Sequence, residues 1–469
     1  MPGTEADRRG SRSVRMRGRL YGLLLVFALS LATAPAALAQ WPQDGQNPFN
    51  TRHFNSGPSA SKAPVLALQY NETLDGDVTG TPILAPNGLV YVGTTGGTVY
   101  SLYQKLQKNR TSQVYRARAV GGPIRGSLMY QAPSTGAPEG VLYVPVARSG
   151  APSIVALDAI NLTQRWETVV DTQRDAVIFG GINYSAEQNM LYVGTCACLA
   201  AEELRNSSHI GLAVAVDATT GAVVWRTATV NSSGRGGGIA GTPMVFDPYD
   251  SVYVATDHQF RGTPPAHPYS DALLKLDTAT GNVTGTHQIR NDDIAEHNSP
   301  DPTKRQGFTA GPLAFTSKTG GRILVGAGAG TGTFYAVNAQ TMALEFTSPV
   351  GVPSSQGGVV GMAAQDGKAI YGSSALPGIF WAVDRAGAPV WVSPAVEALR
   401  YGPVSSSRGV LWATDSAGFL DAQDTVTGRI LGRHPLGRPS TGGVSVGSGY
   451  VYAAIGTGRG TGGGLAAFK

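Results

Sequence analysis

The sequence predicts an all-β fold, an eight-bladed β-propeller, from three observations. The chain of 469 residues contains 63 glycines and only 14% charged residues, a composition typical of short strands and tight turns rather than of coiled coils or charged disordered tails. One strand pattern recurs along the chain at intervals of 40 to 71 residues. The last copy lacks one strand, and the N-terminal region has a matching segment.

The recurring strand consists of an apolar residue, a large residue that is usually aromatic, a third residue and often a small one. Its eight copies are centred on Tyr91, Tyr143, Tyr192, Tyr253, Leu324, Tyr371, Trp412 and Tyr452. A second strand ending in an Asp or Asn turn follows most copies, and Thr-Gly closes several of these turns. Trp returns after three turns, as Trp166, Trp225 and Trp391, where we predict outer-strand packing. Eight units of four strands describe an eight-bladed propeller.

The two ends of the chain complement each other. The eighth unit runs out at residues 465–468, before its outermost strand, and residues 66–70 have the pattern of that strand. We therefore predict that this N-terminal strand closes the last blade and removes an open sheet edge.

Residues 1–39 have the three zones of a secretory signal peptide. Six arginines precede an apolar run at residues 20–32, and small residues precede Gln40, so we expect cleavage after Ala39. This leader holds four of the five net positive charges, so residues 40–469 are nearly neutral and predict no nucleic-acid partner. The apolar run is too short to span a bilayer. Residues 40–469 are thus predicted to be one exported domain, periplasmic or extracellular, without a membrane span.

Two further features leave alternatives open. Seven Asn-x-Ser/Thr acceptors predict surface glycosylation in a eukaryotic secretory protein, whereas a Thr-rich bacterial protein would leave them unmodified; they are Asn71, Asn109, Asn161, Asn183, Asn206, Asn231 and Asn282. The two cysteines, Cys196 and Cys198, could form a disulfide, a pair for a soft metal, or two buried small residues. We favour a structural role for them.

The strand pattern, the Asp turn with Thr-Gly and the returning Trp resemble the pyrroloquinoline quinone (PQQ) repeat over essentially residues 41–469. Within that superfamily, residues 237–256 and 270–274, with Gln288 and Asp293, resemble the polyvinyl-alcohol-dehydrogenase branch. The resemblance implies a planar cofactor held between an aromatic floor and a ceiling of adjacent cysteines. It also implies a Ca²⁺ with oxygen ligands and a carboxylate that accepts the alcohol proton. Non-enzymatic relatives are scaffolds for outer-membrane protein assembly.

Several positions match or depart from that pattern. Arg125 matches the arginine that faces the cofactor, and Glu296 corresponds to the proton-accepting Asp. Ala119 and Val120 replace the cysteine pair, Ala240 stands at the position of the floor Trp, and His258 replaces the Asn that ligates calcium.

Two acidic groups have alternatives. Glu202 and Glu203 resemble an acidic pair of the same branch, with a metal or cofactor role, or else form a solvated loop. His258 with Glu296 or Asp293 would suit a transition metal, unless this segment is only a polar loop.

These departures favour a quinoprotein-like propeller whose PQQ site is largely degenerate. Such a propeller would act as a binding or scaffold module for a protein or a small polyol ligand at the tunnel mouth. The alternative is a PQQ-dependent-type oxidoreductase acting on alcohol or polyol groups, with Glu296 as base, Arg125 on the cofactor and His258 near the metal. No cofactor is assigned from the residues themselves, and PQQ and Ca²⁺ are implied by the resemblance alone.

Overall fold

The computed structural model describes residues 41–198, 207–230, 234–258, 269–289, 307–353, 358–460 and 462–469. They belong to one unit that spans Leu38–Lys469 and form eight sheets of four strands, which confirms the predicted eight-bladed propeller. In this part of the chain, helix is limited to two short 3-10 turns, Ala63–Val65 and Asp247–Tyr249. No helix in these ranges has the length and apolar character needed to cross a bilayer.

The blades follow one another along the chain, each running from an inner strand to an outer one. Blades one to four consist of β2 (Ile83–Leu84), β3 (Leu89–Gly93), β4 (Thr98–Tyr103) and β5 (Val114–Ala119); β6 (Met129–Gln131), β7 (Val141–Val146), β8 (Ser153–Asp158) and β9 (Gln164–Val169); β10 (Asn183–Ser185), β11 (Met190–Gly194), β12 (Leu212–Asp217) and β13 (Val223–Ala228); and β14 (Met244–Phe246), β15 (Ser251–Ala255), β16 (Ala272–Asp277) and β17 (Val283–Gln288). Blades five to eight consist of β18 (Leu313–Thr316), β19 (Ile323–Gly328), β20 (Thr333–Asn338) and β21 (Leu344–Pro349); β22 (Ala364–Gln365), β23 (Ala369–Ser374), β24 (Ile379–Asp384) and β25 (Pro389–Val392); β26 (Ser405–Ser407), β27 (Val410–Thr414), β28 (Phe419–Asp424) and β29 (Ile430–Pro435); and β30 (Val444–Gly447), β31 (Tyr450–Ile455), β32 (Gly464–Phe468) and β1 (Leu68–Thr73).

The N-terminal strand closes the ring as the sequence predicted. Strand β1 pairs antiparallel with β32, with Leu68 opposite Phe468 and Thr73 opposite Gly464. Two backbone hydrogen bonds between Ala67 and Lys469, of 2.9 and 3.0 Å, extend this pairing to the end of the chain. The outer edge of β32 is therefore covered by β1.

The returning Trp and the Thr-Gly turn of the repeat are two halves of one contact between neighbouring blades. Trp225 of blade three donates through Nε1 to Thr278 O of blade four at 2.9 Å, and a Cβ on Gly281 would lie closer than 3.0 Å to the Trp225 ring. The contact between the ring and the glycine recurs for Trp166 with Gly221, Phe346 with Gly387, and Trp391 with Gly428, and Trp391 Nε1 also donates to Thr425 O at 2.9 Å. The predicted packing role of these tryptophans is thus what the structure shows.

A ring of glycines surrounds the propeller axis. One glycine precedes the inner strand of each blade, and a Cβ on any of them would come closer than 3.0 Å to the backbone of another blade; these axial glycines are Gly80, Gly126, Gly180, Gly241, Gly311, Gly361, Gly402 and Gly442. Small residues are required because eight strands converge there.

The glycosylation acceptors are not all at the surface. Asn183 is completely buried, and its Nδ2 donates to Pro48 O and Pro243 O at 3.0 and 2.8 Å. The expectation of a surface site is therefore wrong for Asn183, because a glycan there would displace the inner strand of blade three. Asn71, Asn109, Asn161 and Asn282 are exposed, and Asn206 and Asn231 lie outside the described residues.

The contact between Trp225 and Gly281 predicts a stability difference between two glycine substitutions. Gly437, at φ +81°, has no atom near its added Cβ, whereas Gly281, at φ +72°, faces the Trp225 ring. Gly437→Ala should lower the free energy of unfolding by about 1 to 2 kcal/mol through backbone strain alone. Gly281→Ala should lower it by about 1 to 3 kcal/mol more, because the methyl group overpacks the contact. Denaturant titration measures both, and equal losses would contradict the contact.

Candidate functional site

A cavity of about 690 Å³ lies on the propeller axis and is lined by residues from all eight blades. Each blade contributes the residue just before its axial glycine, and these eight wall residues are Thr79, Arg125, Phe179, Ala240, Ala310, Val360, Tyr401 and Thr441. These eight residues fall into two halves: those of blades three to six are apolar, and those of blades seven, eight, one and two are polar. Thr242, Asp257 and Thr309 add polar groups to the lining from blades four and five. A ligand with an apolar side and a polar or anionic side would match this division.

The floor of the cavity is the carboxylate of Asp44, carried by the N-terminal segment. Its oxygens accept from Thr81 Oγ1 at 2.6 Å, Ser127 Oγ at 2.9 Å and Thr242 Oγ1 at 2.5 Å, from three different blades. Arg52, which is fully buried, lies 2.9 Å from the same carboxylate.

Arg52 also extends this contact to the far side of the ring. Its Nε donates to Val404 O at 2.7 Å and its Nη2 donates to Ser405 Oγ at 3.1 Å, both in blade seven. The N-terminal segment therefore crosses the axis and joins blades one, two, four and seven beneath the cavity.

Asp44 is held in its charged form. Burial by itself would raise the pKa of this carboxyl, but the Arg52 charge and the hydrogen bonds from Thr242, Thr81 and Ser127 outweigh burial, so the pKa lies below its ordinary value of 3.8.

Arg125 lies on the polar half of the wall, as the sequence analysis expected for a residue facing the tunnel. Its Nη1 donates to Gly458 O at 3.3 Å, and its buried Nε makes no hydrogen bond with any described residue. Burial lowers the pKa of Arg125 and the nearby Asp77 partly opposes this, but a guanidinium stays protonated. A cation with an unused donor thus borders the cavity.

A glycine-rich loop, residues 456–460, contacts Arg125 through Gly458 O and carries a second cation, Arg459. Gly456, Gly458 and Gly460 all have positive φ, and Gly460 N donates to Asp77 Oδ2 at 3.0 Å. Arg459 of this loop is exposed and lines the cavity. It lies near Tyr401: burial raises the pKa of Tyr401, and the Arg459 charge opposes that rise.

The cysteines form a disulfide in the cavity wall. Cys196 and Cys198 are bonded to each other, so the alternative of a thiolate pair for a soft metal is wrong. Cys196 pairs with Val177 through two backbone hydrogen bonds of 2.9 and 3.0 Å, which places the disulfide beside the inner segment of blade three. Cys198 and Ala240 pack against one cluster, formed by Ala147, Val177 and Cys196.

The other predicted site residues have different outcomes. His258 is buried, and its Nδ1 lies 2.7 Å from Asp257 Oδ1. The cavity is lined by Asp257, and His258 is not among its lining residues. Glu202, Glu203, Asp293 and Glu296 lie outside the described residues. Within the described ranges, no group of three or more His, Cys, Asp or Glu side chains could hold a metal ion.

Sequence reasoning missed four residues that border the cavity: Asp44, Phe179, Tyr401 and Arg459. The signal for Phe179 and Tyr401 was available, because both immediately precede an axial glycine, like Arg125. Asp44 and Arg459 had no such signal, since only folding brings their segments to the axis.

Comparison with known proteins agrees with this architecture. A PQQ-repeat family model, described as outer membrane protein assembly factor BamB, matches residues 67–260 and 135–393. A polyvinylalcohol dehydrogenase of Sphingopyxis sp. (strain 113P3) is 28% identical over 451 residues, covering 84% of this chain and 67% of that protein. A polyvinylalcohol dehydrogenase of Pseudomonas sp. is 27% identical, covering 88% and 72%. The solved quinohemoprotein alcohol dehydrogenase from Comamonas testosteroni has a TM-score of 0.72 at 16% identity, over 92% of this chain and 80% of that one, which is a likeness of fold.

The buried pair of Asp44 and Arg52 predicts a specific pH dependence. Since the folded pKa of Asp44 is depressed, its stabilisation is present above its ordinary pKa of 3.8 and is lost as the pH falls through the folded value. At neutral pH, Asp44→Asn should lower the free energy of unfolding by about 3 to 5 kcal/mol, because Arg52 is left buried without its partner. The difference in melting temperature between Asp44→Asn and the wild type should narrow below about pH 4.

The matched control is Asp175→Asn, whose partner Arg174 is largely exposed. Its melting temperature should differ little from that of the wild type at any pH, because exposed ion pairs stabilise a protein by about 0 to 1 kcal/mol. If the difference in melting temperature between Asp44→Asn and the wild type stays constant down to about pH 2.5, Asp44 is not the charged partner of Arg52 that the structure indicates.

Proposed function

Because the chain belongs to the PQQ-repeat β-propeller family, we propose that it is a quinoprotein-type oxidoreductase acting on the hydroxyl groups of alcohols or polyols, such as poly(vinyl alcohol). The observation that carries the proposal is the axial cavity, whose wall combines an apolar half with a polar half containing Arg125. The relatives named polyvinylalcohol dehydrogenase support this function over the scaffold role that the sequence departures favoured.

The residues of the cavity fit PQQ, a planar quinone with carboxylates at its edge. Arg125 offers a buried donor, Nε, that no described residue uses, and Arg–carboxylate hydrogen bonds are among the strong ones. Phe179, whose side chain is 41% exposed, and the Cys196–Cys198 disulfide offer flat or polarisable apolar surface. When bound, PQQ supplies the quinone that accepts a hydride from the alcohol carbon.

Two positions that depart from the PQQ-site pattern have residues nearby that could take over the missing roles. The cysteine pair missing at Ala119 and Val120 has a counterpart in the Cys196–Cys198 disulfide of blade three, which also lines the cavity. Ala240 packs on the same cluster as Cys198, so a small residue there leaves room for the disulfide. The aromatic surface missing at Ala240 is offered by Phe179, one blade away.

A carboxylate must take the proton of the substrate hydroxyl. Glu296 is the acceptor that the resemblance implies, and Asp257 is a second candidate because it borders the cavity. Asp257 Oδ1 already accepts a hydrogen bond from His258 N at 2.8 Å, and it lies 2.7 Å from His258 Nδ1. That oxygen is therefore occupied, and we assign Glu296 as the primary acceptor.

Calcium is the metal that the resemblance implies for this cavity. Ca²⁺ requires several oxygen ligands, and Asp257 is a carboxylate that borders the cavity beside His258. The remaining oxygens would come from Glu202 and Glu203, which resemble an acidic pair of the polyvinyl-alcohol-dehydrogenase branch, or from Asp293. His258 would help by holding Asp257, since an imidazole is itself a poor calcium ligand.

The protein is also proposed to be exported. The signal-peptide pattern of residues 1–39 supports a periplasmic or extracellular location, and the Cys196–Cys198 disulfide is an independent indication, because disulfides persist mainly in oxidising compartments.

The cofactor assignment predicts retention of PQQ. Protein incubated with PQQ and Ca²⁺ should keep a quinone absorbance after desalting, and Arg125→Ala should weaken binding by about 10- to 100-fold through loss of a charged hydrogen bond. The matched control is Arg322→Ala, which removes a surface arginine paired with Glu345 and should bind like the wild type. If the wild-type protein retains no quinone, the proposed oxidoreductase function fails and the binding or scaffold function is favoured instead.

The proton acceptor is identified by single-turnover and steady-state kinetics of PQQ-loaded variants. Glu296→Gln should lower kcat by about 10²- to 10⁴-fold, the usual contribution of a general base, while the affinity for PQQ stays unchanged. A larger loss for Asp257→Asn would move the role to Asp257. If both variants keep kcat within about tenfold of the wild type, neither carboxylate is the acceptor.

A further inference from the structure

The cavity contains a cation that neither the sequence motifs nor the proposed reaction uses. Arg459 borders the cavity from the loop of blade eight and Arg125 borders it from blade two, so blade one, whose wall residue is Thr79, lies between the two segments that carry these arginines. Arg459 makes no hydrogen bond or ion pair with any described residue.

We propose that Arg125 and Arg459 together form a two-guanidinium subsite that selects planar ligands bearing two or more carboxylates, with Arg459 as its specificity-determining residue. This inference rests on the proposed function for the identity of the natural ligand, PQQ, but not for the chemistry of the subsite.

The two arginines are joined through the glycine-rich loop. Gly458, the residue before Arg459, accepts a hydrogen bond from Arg125 Nη1 at 3.3 Å, and a Cβ on Gly458 would lie 3.2 Å from the same atom. The loop is anchored on its other side by the bond from Gly460 N to Asp77 Oδ2. Arg125 therefore helps to position the loop that presents Arg459, and the loop backbone can pass this close because residue 458 is glycine.

The charges favour an anion. Asp77 offsets part of the Arg125 charge but is fully buried and does not line the cavity. Asp44, the carboxylate of the floor, is engaged by Arg52. Arg459 makes no ion pair with any described residue and borders the polar half of the wall, whereas the other lining carboxylate, Asp257, comes from blade four and lies beside His258. The apolar half, from Phe179 to Val360, accommodates the body of a planar ligand.

The test uses calorimetric titration with PQQ, with benzene-1,3-dicarboxylate as a small planar dianion, and with its uncharged diamide. Wild-type protein should bind both anions and not the diamide. Arg459→Gln should weaken both by about tenfold, as expected for loss of a charge-assisted hydrogen bond, and Arg459→Lys should recover part of the loss. The matched control is Arg438→Gln, because Arg438 lies beside Gly462 of the same loop region but does not line the cavity.

The outcomes separate this inference from the proposed function. If the dicarboxylate binds with dependence on Arg459 but PQQ does not bind, the subsite stands and the quinoprotein function fails. If PQQ binds and Arg459→Gln leaves its affinity unchanged, the function stands and the role of Arg459 is overturned. Equal losses for Arg459→Gln and Arg438→Gln would reduce the effect to general charge and would also overturn it, as would a wild-type protein that binds neither anion.

Discussion

The buried ion pair between Asp44 and Arg52 organises the centre of this propeller. Neighbouring blades contact each other directly at their inner edges, but blades on opposite sides of the ring can be joined only by a segment that crosses the axis. The N-terminal segment does this with one carboxylate that accepts from three blades and one guanidinium that reaches a fourth. A buried pair of this kind adds little net stability compared with apolar packing, but removing one partner is costly. It therefore fixes the geometry of the cavity floor.

Two steric constraints fix the rest of the ring. At the axis, glycine is required because the inner strands of neighbouring blades approach backbone to backbone. Toward the outer strands, the Trp or Phe ring of one blade lies on the turn glycine of the next, and the indole N–H groups of Trp225 and Trp391 donate to a carbonyl of that turn. The glycine contacts join neighbouring blades near the axis, and the aromatic contacts join them toward their outer strands.

The cavity differs from the symmetric scaffold around it. Equivalent positions before the axial glycines carry Arg, Thr and Tyr in four consecutive blades and Phe, Ala, Ala and Val in the other four. The disulfide and Ala240 belong to the apolar half, and the glycine-rich loop with Arg459 belongs to the polar half. Because the backbone repeats while the side chains do not, the same scaffold can support catalysis, ligand binding or protein assembly. The distribution of charge around the axis, rather than the fold, argues for an anionic ligand.

The sequence by itself determined the number of blades, their strand order, the closure by residues 66–70 and the packing role of Trp225, because these features depend on local patterns that repeat. It also located Arg125, which lies at a fixed offset from a repeated glycine. Tertiary structure alone decided that Cys196 and Cys198 are bonded in the cavity wall, that Asn183 is buried, that Asp257 rather than His258 borders the cavity, and that the loop carrying Arg459 is hydrogen-bonded to Arg125. The physical reason is that these features depend on side chains that do not repeat from blade to blade, and some of their contacts, such as that of Arg125 Nη1 with Gly458 O, join segments more than 300 residues apart along the chain. No periodic pattern encodes such a contact, and only closure of the ring brings its two sides together.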